Sequence, residues 1–255
     1  ANLVAHMEPD QPVYAIKSRG QTGLEEFEQL EEMAAFYVRE ARSLQPAGPY
    51  FLGGYCFGGN VAYEMARQLQ AAGQEVALVA LIDSAPANAG YETVAWWRPD
   101  FSYRFARNLY YWLGDFKHIG WRDRRRFIAR KLRAAGRSAK RLFRANEKPA
   151  VDLEQIIDPA HFPESELKLW RIHLRALGAH RQQPYPGNVT LFRTRGHPVL
   201  SSFAEDFRWG KLAGAVAIRR IPGSHERIFM EPHVKALALS LTAALAEKKT
   251  GPLNP

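Results

Sequence analysis

The sequence has little cysteine and no long hydrophobic segment, and both absences narrow the possible classes of protein. Cys56 is the single cysteine among 255 residues, which excludes an intrachain disulfide and is compatible with a reducing compartment. No apolar run is long enough to span a membrane. The first residues lack the charged-then-apolar layout of a secretory signal. We therefore expect a cytoplasmic protein that does not bind membranes.

An excess of positive charge is present, but it is confined to one segment. The chain carries 35 Lys and Arg against 26 Asp and Glu, a net charge of +9. Residues 117–148 hold 13 basic and two acidic side chains, so the rest of the chain is slightly acidic. A clustered basic helix can bind nucleic acid or an anionic membrane. A solvated helix face is the commoner explanation of such a charge run, and we favour it here.

Strand-like and helix-like patterns alternate along most of the chain. Short apolar runs predict five β-strands, at residues 12–16, 50–55, 76–82, 189–194 and 215–221. Helical periodicity predicts helices at residues 24–44, 60–72, 163–180 and 232–246. This alternation predicts a single α/β domain over residues 1–255, with a mostly parallel central sheet flanked by helices. Residues 85–178 contain no convincing strand and predict a helical lid inserted into that domain.

The lone thiol lies in a stretch with the pattern of a nucleophile turn, Gly54-Tyr55-Cys56-Phe57-Gly58. An apolar strand precedes it and an amphipathic helix follows, the context that a sharp strand-to-helix turn requires. Glycines on both flanks would remove Cβ atoms from the crowded turn. The helix N-terminus favours an anion, and the N–H of Phe57 would face an oxyanion formed at Cys56. A small buried cysteine is the alternative.

A thiol nucleophile needs a base, and the base needs a carboxylate to orient it. His225 follows the last predicted strand on the same sheet edge as Cys56, and His197 is a weaker second candidate. Asp83 ends an apolar strand, whereas Asp206 follows the fourth strand and is its rival. The other histidines are assigned surface or helix-flanking positions. No His-Glu-x-x-His motif predicts a metal site, and no Gly-x-Gly-x-x-Gly follows a strand to bind a nucleotide cofactor.

These segments resemble type I thioesterase domains at the ends of nonribosomal peptide synthetases, members of the α/β-hydrolase superfamily. The resemblance covers most of the chain in the expected order and is most specific in GPYFLGGYCFGGNVAYEMARQLQAAGQEVALVALIDSAP, with further similarity in PVYAIKSRG, YPGNVTLFRTRGHP and IPGSHERIFMEPHV. It implies the α/β-hydrolase fold, with Cys56 as nucleophile, Asp83 as acid and His225 as base. It favours Asp83 over Asp206. The family usually has serine at position 56. It also has a strand and a glycine-containing loop, the source of a second oxyanion N–H, upstream of Pro12; we expect both to be missing here.

The resemblance also implies a function in natural-product biosynthesis. Such domains release a peptidyl or acyl thioester that arrives on the phosphopantetheine arm of a peptidyl carrier domain, and they need no cofactor of their own. Because transfer to a cysteine keeps the acyl group as an activated thioester, Cys56 predicts release by cyclisation, including closure of a strained ring such as a β-lactam or β-lactone. The exposed basic face of the predicted lid would help to steer the carrier domain through Arg130, Arg133, Arg137 and Arg141.

Three other interpretations remain at this point. The domain could release its product by simple hydrolysis. The chain could be a free-standing Cys-His-Asp hydrolase of the dienelactone hydrolase type, although the long insertion and the GYCFGG block argue against this. The third is a non-catalytic protein that binds nucleic acid or a membrane through its basic segment. In that case the presence of Cys56, Asp83 and His225 at the expected places would be a coincidence.

Overall fold

We analysed a computed structural model of the chain, which describes residues 2–87, 163–196 and 204–250, together with isolated helical positions between 102 and 129. The predicted lid, residues 85–178, lies largely outside these ranges. Its four proposed docking arginines lie outside them as well: Arg130, Arg133, Arg137 and Arg141. His118, His161 and His197 are likewise not among the described residues.

The core of the fold is a parallel four-stranded sheet. Its strands are β1 (Tyr50–Tyr55), β2 (Val76–Ile82), β3 (Tyr185–Gly196) and β4 (Ala213–Ser224). They lie side by side in the order β1-β2-β3-β4, and every neighbouring pair is parallel. This confirms four of the five predicted strands and the α/β class. The ends of β1 and β2 coincide with those of the apolar runs, and β3 and β4 extend beyond theirs.

The first predicted strand, residues 12–16, is wrong. The segment has no strand conformation, and Val13, Tyr14 and Ile16 are 46%, 75% and 48% exposed. An isolated strand is not stable in water without a paired neighbour and a buried face. Within the described part of the chain nothing pairs with this segment, since β1 bonds only to β2. Apolar composition alone therefore overstated its tendency to form a strand.

Four helices flank the sheet within the described ranges: α1 (Leu30–Leu44), α2 (Phe57–Ala71), α3 (Glu164–Ala179) and α4 (His233–Thr250). The start of α1 is six residues later than the helical periodicity predicted. The reason lies in Glu26, whose carboxylate accepts the backbone N–H groups of Gly20 (3.2 Å) and Phe27 (3.0 Å) and so fixes a turn ahead of the helix. None of the helices in the described part is long and apolar enough to cross a membrane.

Side chains of β2 alternate between two apolar layers. Leu78, Ala80 and Ile82 pack in the cluster that contains Leu237 of α4. Val79 and Leu81 point the other way and pack in the cluster that contains Tyr63 of α2. The strand is therefore covered on both faces, as its nearly continuous apolar sequence indicates.

Parallel strand direction brings three predicted site residues to one edge of the sheet. Cys56 follows β1, Asp83 follows β2 and His225 follows β4. Ligands of open α/β sheets bind outside this carboxyl edge. The fold thus gathers at one place three side chains that are far apart in the sequence.

Candidate active site

Cys56 lies at a sharp turn between β1 and α2. Its backbone has φ 52° and ψ −117°, in a region that a non-glycine residue rarely adopts. The turn is held by a hydrogen bond from the Cys56 N–H to the carbonyl of Ile82 (3.1 Å). Phe57 is the first residue of α2, so its N–H has no acceptor within the helix. The turn therefore presents a thiol beside an unpaired helix N-terminus, as the pattern of residues predicted.

The glycines that make this turn possible are Gly54 and Gly59, which corrects the sequence-based interpretation of the Gly54–Gly58 pair. A Cβ at Gly54 would overlap the backbone of Gly58, and one at Gly59 would overlap the side chain of Ser84. A Cβ at Gly58 would meet nothing within 4 Å. The close approach thus involves the backbone of Gly58 but does not require that residue to be glycine.

Asp83 and His225 form a direct hydrogen bond at the sheet edge. Nδ1 of His225 lies 2.8 Å from Oδ2 of Asp83, and Oδ1 of Asp83 accepts the backbone N–H of Thr194 at 2.8 Å. Asp83 is buried and also has a positive φ of 45°. Burial alone would raise the pKa of Asp83, but the hydrogen bond and the charge of His225, with the N–H of Thr194, lower it below its ordinary value.

The same contacts make the imidazole of His225 basic. Burial lowers its pKa, but the hydrogen bonds to Asp83 and to Cys56 and the charges of those two groups outweigh this and raise the pKa of His225 from 6.5 to about 10. Since Nδ1 is used by Asp83, Nε2 is the nitrogen left to accept the proton of the thiol. His225 is therefore paired with Asp83 and lies close enough to Cys56 for the charge of that group to act on the imidazole.

Tyr55, the last residue of β1, supports His225, and the sequence interpretation did not identify it. Its hydroxyl donates to the carbonyl of His225 (2.7 Å), and its ring stacks on the imidazole with centroids 4.7 Å apart. Phe229 packs edge-on against the same tyrosine ring, with centroids 5.0 Å apart. The signal available in the sequence was the position of Tyr55 next to Cys56, but nothing there indicated contact with His225.

A second unpredicted feature is a hydrogen-bond network around Ser84. The Ser84 hydroxyl donates to the carbonyl of Cys56 (2.7 Å) and accepts from the amide of Asn60 (3.2 Å). The indole N–H of Trp209 donates to the carbonyl of Ser84 (2.8 Å). This network ties the turn after β1 to the turn after β2, so that Cys56 and Asp83 are held relative to each other.

The competing candidates among the described residues lie elsewhere. Asp206 uses both carboxylate oxygens in its own turn, accepting the N–H groups of Arg208 and Gly210 at 2.9 Å each. His173 and His180 were assigned to the surface, which is wrong. His173 has a side chain only 13% exposed and pairs with Glu26, and His180 is buried and pairs with Glu31. His173 lies on α3 and His180 follows its last residue, and the packing of α3 against α1 and α2 explains the burial of both.

Comparison with known proteins shows similarity to thioesterase domains. The sequence model of the thioesterase domain family matches residues 1–112. Malpibaldin synthetase of Mortierella alpina is 44% identical over 94 residues, which are 36% of this chain and 2% of that protein. The chain therefore corresponds to a small part of the length of this relative. The matched region includes Cys56 and Asp83 but ends well before His225.

Solved structures extend the likeness over the rest of the chain. Holo-AB3403, a four-domain nonribosomal peptide synthetase, superposes with a TM-score of 0.61 and 25% identity over 99% of this chain and 18% of that one. The NocB thioesterase domain, in covalent complex with a fluorophosphonate nocardicin G analogue, gives a TM-score of 0.52 and 26% identity over 87% of this chain and 76% of that one. The chain has the α/β fold of these thioesterase structures and is similar to the thioesterase domains of nonribosomal peptide synthetases.

The first prediction concerns the tight turn between β1 and α2. We expect Gly54→Ala to lower the free energy of unfolding by about 3 kcal/mol or more, because its Cβ meets rigid backbone. Gly58→Ala is the matched control, and we expect it to be neutral or to stabilise the fold by about 0.5–1 kcal/mol, since it lies in a helix with open space around it. Urea unfolding of both variants measures the difference. Equal effects would contradict the described turn.

The second prediction concerns the titration of His225. A folded-state pKa above 6.5 means that the imidazolium stabilises the fold fully below pH 6.5, and that this contribution is lost as the pH rises towards 10. Asp83→Asn removes the carboxylate charge, so we expect the pKa of His225 to fall, whereas Asp206→Asn should leave it unchanged. NMR titration of the imidazole measures both. If the pKa of His225 fell in Asp206→Asn and not in Asp83→Asn, Asp206 would be the residue that orients the imidazole.

Proposed function

We propose that this domain is a terminal thioesterase that releases a carrier-bound peptidyl or acyl thioester through an acyl-enzyme on Cys56. The observation that carries the proposal lies at the sheet edge: Asp83 pairs with Nδ1 of His225 at 2.8 Å, and Cys56, at the turn beside them, raises the pKa of the same imidazole. A nucleophile, a base and an orienting carboxylate in this order are sufficient for acyl transfer. The resemblance to thioesterase domains of nonribosomal peptide synthetases supports the choice of substrate class.

In the first half of the reaction, the sulfur of Cys56 attacks the carbonyl carbon of the incoming thioester. The proton of the thiol is held on Nε2 of His225 when the sulfur attacks, and Asp83 stabilises that imidazolium. The N–H of Phe57 donates to the oxyanion of the tetrahedral intermediate. The bond to the pantetheine sulfur then breaks, and that sulfur takes the proton from His225. One carbon–sulfur bond has formed and one has broken, which leaves the acyl group on Cys56.

In the second half, an amine or hydroxyl of the acyl chain attacks the same carbonyl carbon. It gives its proton to His225, the bond to Cys56 breaks, and the proton returns to the sulfur. Water in place of the internal nucleophile would give the free acid instead. Because the intermediate is a thioester rather than an oxoester, it reacts better with amines relative to water. We therefore infer that sulfur at position 56 serves release by cyclisation, including closure of a strained ring.

The two solved relatives support separate parts of this proposal. NocB has been captured as a covalent complex with a substrate-like phosphonate, which fits a covalent intermediate in this domain. Holo-AB3403 contains its similar region within a four-domain synthetase, which fits a carrier domain as the partner of this chain. The phosphopantetheine arm would then be part of the substrate rather than a cofactor. The steering role of the basic face, which includes Arg130 and Arg137, remains a prediction.

The third prediction compares two replacements of the nucleophile. We expect Cys56→Ala to abolish product formation without loss of folding, because alanine is smaller than cysteine and keeps the same backbone contacts. We expect Cys56→Ser to be acylated but then to stall or to release free acid, because the oxoester is less reactive towards an amine. Mass spectrometry of the products from an acyl-pantetheine thioester, together with the melting temperature of each variant, measures both effects.

Three outcomes would each contradict a part of the proposal. Product formation by Cys56→Ala above the uncatalysed rate would show that Cys56 is not the nucleophile. Equal amounts of cyclic product from Cys56→Ser and the natural chain would leave the nucleophile in place but remove the argument for sulfur. Free acid as the sole product of the natural chain would establish hydrolytic release instead.

A further inference from the structure

The backbone N–H of Phe57 has a role in the proposed reaction, whereas its side chain is buried. Its N–H is the proposed oxyanion donor, and its ring is only 7% exposed. The backbone around it is not stiff by itself, because Gly58 and Gly59 follow directly in the first turn of α2. The residue before it, Cys56, has a strained φ of 52°. Packing of the Phe57 ring is therefore an important restraint on the direction of its N–H.

The imidazole of His173 packs flat against that ring. The two ring centroids are 4.6 Å apart and the planes are inclined by 6°. His173 belongs to α3, the described part of the predicted lid region. A stacked contact of this kind fixes the position and the tilt of both rings. Helix α3 thus contacts the turn at Cys56 through the stacking of His173 on Phe57.

The imidazole is in turn fixed by Glu26. Nε2 of His173 lies 3.2 Å from Oε2 of Glu26, whose side chain is 1% exposed. Glu26 cannot shift easily, because the two backbone N–H groups that it accepts, from Gly20 and Phe27, hold it in the turn before α1. Burial lowers the pKa of His173 despite the opposing effect of Glu26, so the ring at neutral pH is the uncharged form that donates from Nε2.

We propose that His173, held by Glu26, is a positioning residue for the oxyanion donor. The chain of contacts runs from the turn before α1, through Glu26 and the imidazole, to the ring of Phe57. It fixes the first turn of α2 while the substrate carbonyl becomes tetrahedral. The inference rests on the proposed function, since it assigns the N–H of Phe57 to that intermediate. It also makes α3 a means by which the lid region influences the rate of acyl transfer.

His173→Leu and His180→Leu test this role as a matched pair. Each substitution removes a histidine that pairs with a glutamate. His180 lies seven residues after His173, at the end of α3, and pairs with Glu31. We would measure kcat and KM with an acyl-pantetheine thioester, the Ki of a peptidyl aldehyde and the melting temperature. The aldehyde adds the Cys56 thiol across its carbonyl, so its oxygen occupies the oxyanion position. The Ki of the aldehyde therefore reports directly on the hydrogen bond from the N–H of Phe57 to that oxygen.

We expect His173→Leu to lower kcat and weaken the aldehyde about tenfold or more, with KM changed less than twofold. His180→Leu should affect the melting temperature and leave kcat and the aldehyde Ki within about twofold. His173→Phe keeps a flat ring on Phe57 and should recover most of kcat, and Glu26→Gln should give an intermediate value. These two variants also keep the test valid if His173→Leu does not fold.

Unchanged kcat and aldehyde Ki in His173→Leu would overturn the inference. So would parallel losses in His173→Leu and His180→Leu that follow the fall in melting temperature, because they would show a structural role alone. The proposed function has a separate outcome. If the natural chain forms no acyl adduct on Cys56, the function itself fails; if it does and His173→Leu acylates at the same rate, only the positioning role is wrong.

Discussion

The hydrogen bond between Asp83 and His225 joins the end of β2 to the end of β4 at 2.8 Å, across the end of β3. Asp83 is buried and His225 is half-buried, so burial by itself disfavours the charged form of each. Their mutual stabilisation moves the pKa of Asp83 down and the pKa of His225 up. The pair thus favours the charged form of both groups, and the proposed function requires this imidazolium once the thiol has lost its proton.

Two residues of the site have a strained backbone, and the packing at the sheet edge maintains both. Cys56 and Asp83 each have a positive φ, which costs conformational free energy at a non-glycine residue. Ser84, which follows Asp83, donates to the carbonyl of Cys56, so one hydrogen bond connects the two turns. The lack of a Cβ at Gly59 leaves room for the Ser84 side chain that makes this bond. Strain at the site is thus compensated by contacts just outside it.

The sequence was informative where a pattern was local. The bounds of β1 and β2 and the sharp turn at Cys56 follow from apolar runs and from glycine spacing. Pairing of Asp83 rather than Asp206 with His225 could not be derived from spacing alone, because both acids follow predicted strands. The family resemblance decided it, and the observed hydrogen bond agrees.

Contacts between distant segments left little trace in the sequence. Tyr55 on His225 and His173 on Phe57 depend on the relative placement of elements 170 and 116 positions apart. Residues 12–16 show the opposite failure, since their apolar side chains predicted a strand that needs a paired neighbour. Local composition cannot report whether that neighbour is present.

The most direct test of the central claim is the mass of the intact protein after brief mixing with an acyl-pantetheine thioester, followed by proteolytic mapping of the adduct. The account predicts a mass increase equal to one acyl group, located on Cys56, that accumulates much more slowly in His225→Ala. An adduct on another residue, or equal rates of acylation with and without the imidazole, would contradict a Cys56 nucleophile activated by His225 and Asp83.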